Sequence, residues 1–203
     1  MSSDTGEEEP MTIVAPEVAQ LTFEVHGRIP IGVLTVDDVP GIDLNVPFEL
    51  QDGELLIMAA PSAWHDAISN SVRGYLQQRC AHAAEDMIVA VGRNGRRPDV
   101  VGLSVSLDEL LRTRAKVLAS DVVDVAVEVI SHDDDPVKDH ESVSRDRDVK
   151  FREYASAGIL EYWIVDEVAE DFRDASVEIY RLQAGAYVPV RITTLSELLA
   201  EMR

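Results

Sequence analysis

Apolar and polar positions alternate along the chain in a way that predicts both strands and helices. The Asp52-Gly53 pair separates two apolar runs and predicts a hairpin with strands at about 47–51 and 54–59. In the stretch that follows Pro61, apolar residues recur at helical spacing. They predict one amphipathic helix with Ser62 as its N-cap.

The middle of the chain predicts a second hairpin, a buried strand and a second helix. The segments "MIVAV" and "PDVVGL" flank "RNGRR", in which Asn94-Gly95 is predicted to supply the positive φ angles of a tight turn. The run "DVVDVAVEVI" is β-branched and predicts a central strand covered on both faces. Apolar spacing from about Ser144 to Ala157 predicts a helix that Gly158 ends.

The remaining segments complete an α/β pattern. A strand "LEYWIVD" is followed by a hairpin of "SVEIYRL" and "YVPVRIT", then by a short helix "LSELLAEM". This order predicts a mixed β-sheet with helices packed on it. The length of 203 residues suits one domain over residues 11–203, preceded by a flexible acidic tail at residues 1–10.

The charge balance opposes binding to nucleic acid, because 38 acidic and 18 basic residues give a net charge of −20. Residues 1–72 carry thirteen of the acids and one basic residue, Arg28. Seven basic residues lie in two short segments: Arg93, Arg96, Arg97, Arg145, Arg147, Lys150 and Arg152. They predict a cleft less acidic than the rest of the surface; the alternative is ordinary solvated charges balanced by neighbouring acids.

Composition also bears on the cellular setting. We recognise no charged-then-apolar leader, and no apolar run approaches the roughly 18 residues that span a bilayer, so we expect a soluble protein without a membrane partner. A single cysteine, Cys80, cannot form an internal disulfide. The cytoplasm is the expected location.

Candidate chemistry centres on two acids in predicted strands. If the strands that carry Asp99 and Glu128 pair, two carboxylates meet on an apolar platform, which suits a hard divalent cation. Asp146, Lys150 and Tyr154 follow at i, i+4 and i+8, so they share one helix face and Asp146 can hold the lysine. The alternative is an exposed helix ion pair that contributes little. With either role for Lys150, we expect Lys150→Ala to leave the fold nearly intact, because alanine is the better helix former and an exposed Asp146–Lys150 pair contributes little.

The segments "FELQDGELLIMAAPSAWH", "RRPDVV", "VAVEVIS" and "RDRDVKFREYASAGILEYWIVD" together resemble the Uma-two family of endonucleases, within the PD-(D/E)XK superfamily. The resemblance covers about residues 47–182. It implies an α/β restriction-endonuclease-like fold, a mixed β-sheet flanked by helices. The lysine expected two positions after the second acid is absent, since Ile130 stands there; the family pattern implies that Lys150 has taken its role.

The resemblance also implies roles for individual residues. Asp99, Glu128 and the carbonyl of Val129 are implied to bind Mg²⁺ or Mn²⁺, and Lys150 to act on the attacking water and the developing charge. Auxiliary roles fall on four further residues: Glu54, His65, Asp146 and Tyr154. For His65 a capping or packing role remains open, and for Glu54 an ion pair in solvent.

Three functions remain open at this point. The first is a metal-dependent endonuclease that hydrolyses DNA phosphodiester bonds, expected as a homodimer because each chain carries one site and DNA has two strands. The second is a catalytically degenerate nuclease fold acting as a regulatory or protein-interaction module, which the charge of −20 favours. The third is an acidic interaction module that never meets DNA.

Overall fold

A computed structural model describes residues 34–132, 135–168 and 171–202 of the chain. The predicted tail at residues 1–10 lies outside the described residues. In the described part no helix is both long enough and apolar enough to cross a membrane.

The chain forms strands and helices in an alternating order. The strands are β1 (Phe48–Gln51), β2 (Glu54–Ile57), β3 (His82–Glu85), β4 (Ile88–Val91), β5 (Asn94–Arg96), β6 (Val100–Leu103), β7 (Val117–Leu118), β8 (Val123–Val129), β9 (Glu161–Glu167), β10 (Ala175–Gln183) and β11 (Ala186–Thr194). The helices are α1 (Ala63–Arg79), α2 (Leu107–Thr113), α3 (Pro136–Ser144), α4 (Phe151–Ser156) and α5 (Leu195–Ala200). Two 3₁₀ turns lie at Val36–Gly41 and Ser120–Val122, and a π-helical segment at Arg145–Lys150 joins α3 to α4.

The strands divide between two mixed sheets, where the sequence pattern had predicted one. The larger sheet has the order β11-β10-β9-β8-β6-β3, and the smaller has the order β2-β1-β5-β4-β7. In the larger sheet β8 pairs antiparallel with β6 and parallel with β9. The pairing of Val100 with Val127 sets Asp99, the residue before β6, beside the end of β8 that carries Glu128. The predicted pairing of the two acid-bearing strands is therefore confirmed.

Strand β8 is buried on both faces, as its composition predicts. Val125, Val127 and Val129 face the apolar cluster that includes α1 and α5. Ala126 and Ile130 belong to the cluster on the opposite face, together with residues of α4. Since side chains alternate along a strand, Glu128 shares the face of Ala126 and Ile130 and enters this second cluster.

The smaller sheet confirms one predicted turn and corrects another. Asp52 and Gly53 have φ angles of 51° and 88°, as the hairpin required. The predicted turn at Asn94-Gly95 is wrong, because both residues lie in β5 and the positive φ belongs to Gly92. A Cβ on Gly95 would lie 3.1 Å from Ile88 Cγ2, so close packing explains this glycine.

The helices position the residues at the larger sheet. Ser62 caps α1 by accepting a hydrogen bond from the main-chain N–H of His65 (3.1 Å), which confirms the predicted N-cap. The second predicted helix begins earlier than Ser144, at Pro136, where Asp135 is the N-cap. Gly158 follows α4 with φ +82°, in agreement with the predicted helix end.

Candidate active site

Glu128 is a buried carboxylate with two hydrogen-bond donors on the helix that follows. The residue is 2% exposed. Oε1 accepts from the Tyr154 hydroxyl at 2.7 Å and Oε2 from the Lys150 ammonium at 2.8 Å. Burial raises the pKa of Glu128 well above its usual value, and repulsion from Asp146 and Asp99 adds to the rise although Lys150 opposes it.

Lys150 lies at the centre of three carboxylates. Its ammonium is 2.8 Å from Glu128 Oε2, 3.1 Å from Asp146 Oδ1 and 3.1 Å from Glu49 Oε1. The residue is 4% exposed. Burial opposes the charged form, but the carboxylates outweigh it and raise the pKa of Lys150 well above its usual value. Lys150 is therefore a charged group with its position fixed.

The predicted helix face is formed as expected. Asp146 and Lys150 are paired at i, i+4 across the π-helical segment, and Tyr154 reaches Glu128 from the next turn. Burial raises the pKa of Asp146 above its usual value, although Lys150 opposes the rise. The exposed ion pair considered as an alternative is wrong, because Asp146 and Lys150 are both buried.

Asp99 is held by one main-chain and one side-chain donor. The N–H of Val129 donates to Oδ2 at 2.6 Å, and His65 Nε2 lies 3.2 Å from Oδ1. Burial disfavours the imidazolium of His65, but the hydrogen bond and the charge of Asp99 outweigh it and raise the pKa of His65. The structure thus brings His65 to the predicted acid pair.

Glu49 is the site residue that the sequence patterns missed. It is 1% exposed, and it contacts Lys150 (3.1 Å), Arg96 (3.2 Å) and the N–H of Arg97 (3.0 Å). Burial opposes its ionisation, but these cations and the N–H lower the pKa of Glu49. The available signal was an acid between two buried apolar residues in the short strand β1. Glu54, the hairpin acid named from the sequence, is exposed in β2 and does not line the cavity described next.

One cavity of about 750 Å³ is lined by six of these residues: Glu49, His65, Asp99, Glu128, Asp146 and Lys150. Eight acidic residues line it: Glu49, Asp66, Glu85, Asp86, Asp99, Glu128, Asp146 and Glu167. Three Lys or Arg residues line it: Arg97, Arg145 and Lys150. The predicted cleft of lower acidity is therefore wrong.

Two of the predicted surface arginines are occupied by ion pairs. Arg96 is fully buried, with its guanidinium bonded to Glu49 and, at 2.6 Å, to Glu153. Arg147 binds Asp166 (3.0 Å) and Glu178 (2.9 Å). Their charge is used within the fold, which explains the acidity of the cavity.

The carboxylate oxygens of the site suit a hard cation whose remaining ligands are water or phosphate. In residues 34–132, 135–168 and 171–202 no three His, Cys, Asp or Glu side chains are arranged to hold a metal ion by themselves. Asp99 and Glu128 nevertheless share the cavity with Glu49 and Asp146, and Lys150 lies among these acids. Burial is the main cause of the raised pKa of Glu128, and repulsion from the neighbouring carboxylates adds to it. A divalent cation with water or phosphate ligands fits such a site.

Comparison with known proteins agrees with the fold. The model of the Uma2 family, described as "Putative restriction endonuclease", matches residues 38–202. No curated protein matches the chain. A solved structure of "a putative nuclease belonging to DUF820 from Anabaena variabilis ATCC 29413" is similar, with 18% identity and a TM-score of 0.53 over 84% of this chain and 99% of that one. The predicted α/β restriction-endonuclease-like fold is confirmed.

Proposed function

Because the chain belongs to the Uma2 family of restriction endonuclease-like proteins, we propose that it is a divalent-metal-dependent endonuclease that hydrolyses DNA phosphodiester bonds. The observation that carries the proposal is the meeting of Asp99, Glu128 and Lys150 in one cavity, although 51 positions separate the first from the last. Buried acids and a buried lysine are costly to maintain, so their concentration in a cleft supports a functional role.

The metal would be held by oxygen atoms at the ends of β6 and β8. The carboxylates of Asp99 and Glu128 and the carbonyl of Val129 would bind Mg²⁺ or Mn²⁺. When bound, the cation supplies Lewis acidity and an activated water. The N–H of Val129 and the imidazole of His65 orient the Asp99 carboxylate toward this position.

Lys150 would stabilise the negative charge that develops on the phosphoryl oxygens. Glu49 and Asp146 keep its ammonium charged and hold it next to Glu128. Tyr154 donates its hydroxyl hydrogen to the other oxygen of Glu128, which fixes the carboxylate in one orientation. We assign Glu49, Asp146, Tyr154 and His65 positioning roles, and Lys150 the catalytic one.

We further propose a homodimer in the cytoplasm. Cutting both strands of a duplex with one site per chain requires two copies or two binding events. The single Cys80 is compatible with a reducing compartment. Size-exclusion chromatography with light scattering tests the dimer.

Nicking of supercoiled plasmid in Mn²⁺, Mg²⁺ or EDTA tests the activity. We expect nicking with either cation and none in EDTA. Asp99→Asn and Glu128→Gln are expected to lose nicking and the cation-dependent rise in Tm. Asp108→Asn, an exposed acid on α2, is the matched control and is expected to retain both. Equal nicking by Asp99→Asn and the wild type would contradict the proposed site.

A degenerate nuclease fold that acts as a binding module is the second candidate function. The observation in its favour is charge: the cavity is acidic and the chain carries a net charge of −20, both of which repel DNA. A wild-type protein that neither cuts nucleic acid nor binds any divalent cation supports this alternative over the enzyme.

A further inference from the structure

One part of the cavity lining is apolar and continuous in sequence. It comprises residues 56–61, which form the end of β2 and the segment after it, together with Trp64 at the start of α1, and we refer to it as the apolar wall. All of its residues retain some exposure to solvent, and Trp64 also packs against the main core cluster. A partly exposed indole beside buried carboxylates is a surface on which a flat apolar group can rest.

The apolar wall itself carries no charged side chain, so a phosphate that lay against it would have no cation to pair with. Eight acids and three Lys or Arg residues line the cavity. Lys150 is held at Glu128, where the proposed function places the phosphodiester, and the guanidinium of Arg97 donates to the main-chain oxygens of Phe48 and Asp86. An uncharged nucleobase needs no such cation. Of the parts of a DNA strand, the base is therefore the one that suits the wall.

Two polar atoms near the wall favour a base over a purely apolar group. Ser69 Oγ and His65 Nδ1, one helical turn apart in residues that line the cavity, are buried and have no hydrogen-bond partner among the described residues. Ser69 is 6% exposed. Unpaired buried polar atoms are unfavourable. A nucleobase carries donors and acceptors at its edge that can pair with them, whereas a hydrocarbon chain carries none.

The size of the cavity points to a few nucleotides. Its volume of about 750 Å³ lies in the range of pockets that enclose small molecules. In an intact duplex each base is stacked between neighbours, so its face is not available to a side chain. Unpaired bases expose that face and stack on aromatic residues.

We propose that the apolar wall binds an unpaired base of the DNA strand, stacked on Trp64, and that the preferred substrate is single-stranded or locally opened DNA. This inference rests on the proposed nuclease function. It adds a binding subsite for the base next to the residues that act on the phosphodiester.

Three DNA substrates of one sequence test the inference in Mn²⁺: a single strand, the blunt duplex and the duplex with a central unpaired bubble. A single RNA strand of the same sequence is assayed beside them. We expect cleavage of the single strand and of the bubble region, at rates at least about tenfold above that of the intact duplex. Quenching of tryptophan fluorescence measures the binding of the single strand in EDTA. The chain has two tryptophans and Trp163 is fully buried, so the quenched signal reports on Trp64.

Variants at Trp64 separate stacking from packing. Because these variants lack the Trp64 reporter, their binding is measured by the fluorescence anisotropy of a dye-labelled strand. Trp64→Ala is expected to weaken single-strand binding at least about fivefold, the lower end of the effect of one base–aromatic stack. Trp64→Phe keeps a ring for stacking and for the core, and we expect it to restore most of the affinity. Phe172→Ala, an exposed aromatic outside the cavity lining, is the matched control.

The outcomes distinguish this inference from the function on which it rests. If the intact duplex is cut as fast as the single strand, and Trp64→Phe and Trp64→Ala are equally active, the base subsite is overturned. The proposed nuclease function is unaffected by that result. A preference for RNA strands over DNA strands overturns the assignment to DNA. If the protein neither cleaves nor binds any strand, both proposals are overturned. Selective cleavage of unpaired DNA that depends on an aromatic at position 64 supports the inference.

Discussion

The ammonium of Lys150 lies 2.8 Å from Oε2 of Glu128, and both side chains are buried. The pair joins the central strand β8 to the helical segment that precedes α4. Asp146 and Glu49 complete the surroundings of the ammonium, so Lys150 contacts three buried carboxylates, of which Glu49 is also paired with Arg96. Stability and the proposed chemistry therefore depend on the same contacts.

Lys150→Ala is expected to destabilise the fold by about 3–5 kcal/mol, because it leaves buried carboxylates without their cation. The sequence-based expectation of a nearly intact fold assumed an exposed pair, and burial removes that assumption. Urea denaturation measures the change. Arg152→Ala, an exposed cation on α4, is the control and is expected to stay within about 0.5 kcal/mol.

A double-mutant cycle with Lys150→Met and Glu128→Gln isolates the pair. The double variant is expected to lose less free energy of unfolding than the two single variants lose together, with a coupling of about 1–3 kcal/mol. Additive effects would show that the two side chains contribute independently, which contradicts the contact at 2.8 Å.

Glu49→Gln is expected to destabilise the fold by about 2–4 kcal/mol and to slow nicking, because Lys150 and Arg96 both lose a charged partner. Glu54→Gln is the matched control from the same hairpin. Glu54 is exposed, so its change is expected to stay within about 0.5 kcal/mol and to leave nicking unaltered. Urea denaturation and plasmid nicking of both variants measure the effects; the reverse ranking would favour the acid chosen from the sequence.

Much of the candidate site could be predicted because its residues lie in segments with strong patterns. A β-branched strand that ends in an acid identified Glu128, and i, i+4, i+8 spacing identified the face of Asp146, Lys150 and Tyr154. Strand pairing then brings Asp99 to Glu128. Glu49 was missed because β1 has four residues, too few for a periodicity that separates a buried acid from an exposed one.

The errors in the fold arise where tertiary contacts outweigh local preference. Asn94-Gly95 is a typical turn sequence, but the side chain of Asn94 bonds the N–H of Asp52 (2.9 Å) and the carboxylate of Glu153 (3.0 Å). These contacts keep the pair in β5. The early start of the second helix was missed because its first turns carry mostly polar residues; the signal was Asp135 as N-cap followed by Pro136.

Two glycines are expected to respond oppositely to alanine. Gly95→Ala is expected to destabilise the fold by about 1–3 kcal/mol, since its Cβ would press against Ile88 Cγ2 at 3.1 Å. Gly74, inside α1, has open space where a Cβ would lie. Gly74→Ala is expected to stabilise by about 0.5–1 kcal/mol. Thermal unfolding of both variants measures the changes, and a stabilised Gly95→Ala would refute the packing explanation of β5.

His132 is expected to make stability depend on pH. Its Nε2 lies 2.8 Å from Asp166 and its Nδ1 2.9 Å from Asp139. The hydrogen bond to Asp166 is the main cause of the raised pKa of His132; burial opposes it, and Asp139 adds to it. Because the pKa is higher in the folded state, the stabilisation is fully present below the unfolded pKa of about 6.5. It is lost as the pH rises through the folded value.

His132→Gln is therefore expected to cost more stability at pH 5.5 than at pH 9. The side chain is 42% exposed, so solvent screening limits the difference to about 1 kcal/mol or less. Urea denaturation at the two pH values measures it, with His140→Gln, an exposed residue of α3, as the control. A loss of stability that is the same at both pH values would mean that His132 contributes through packing and not through its charge.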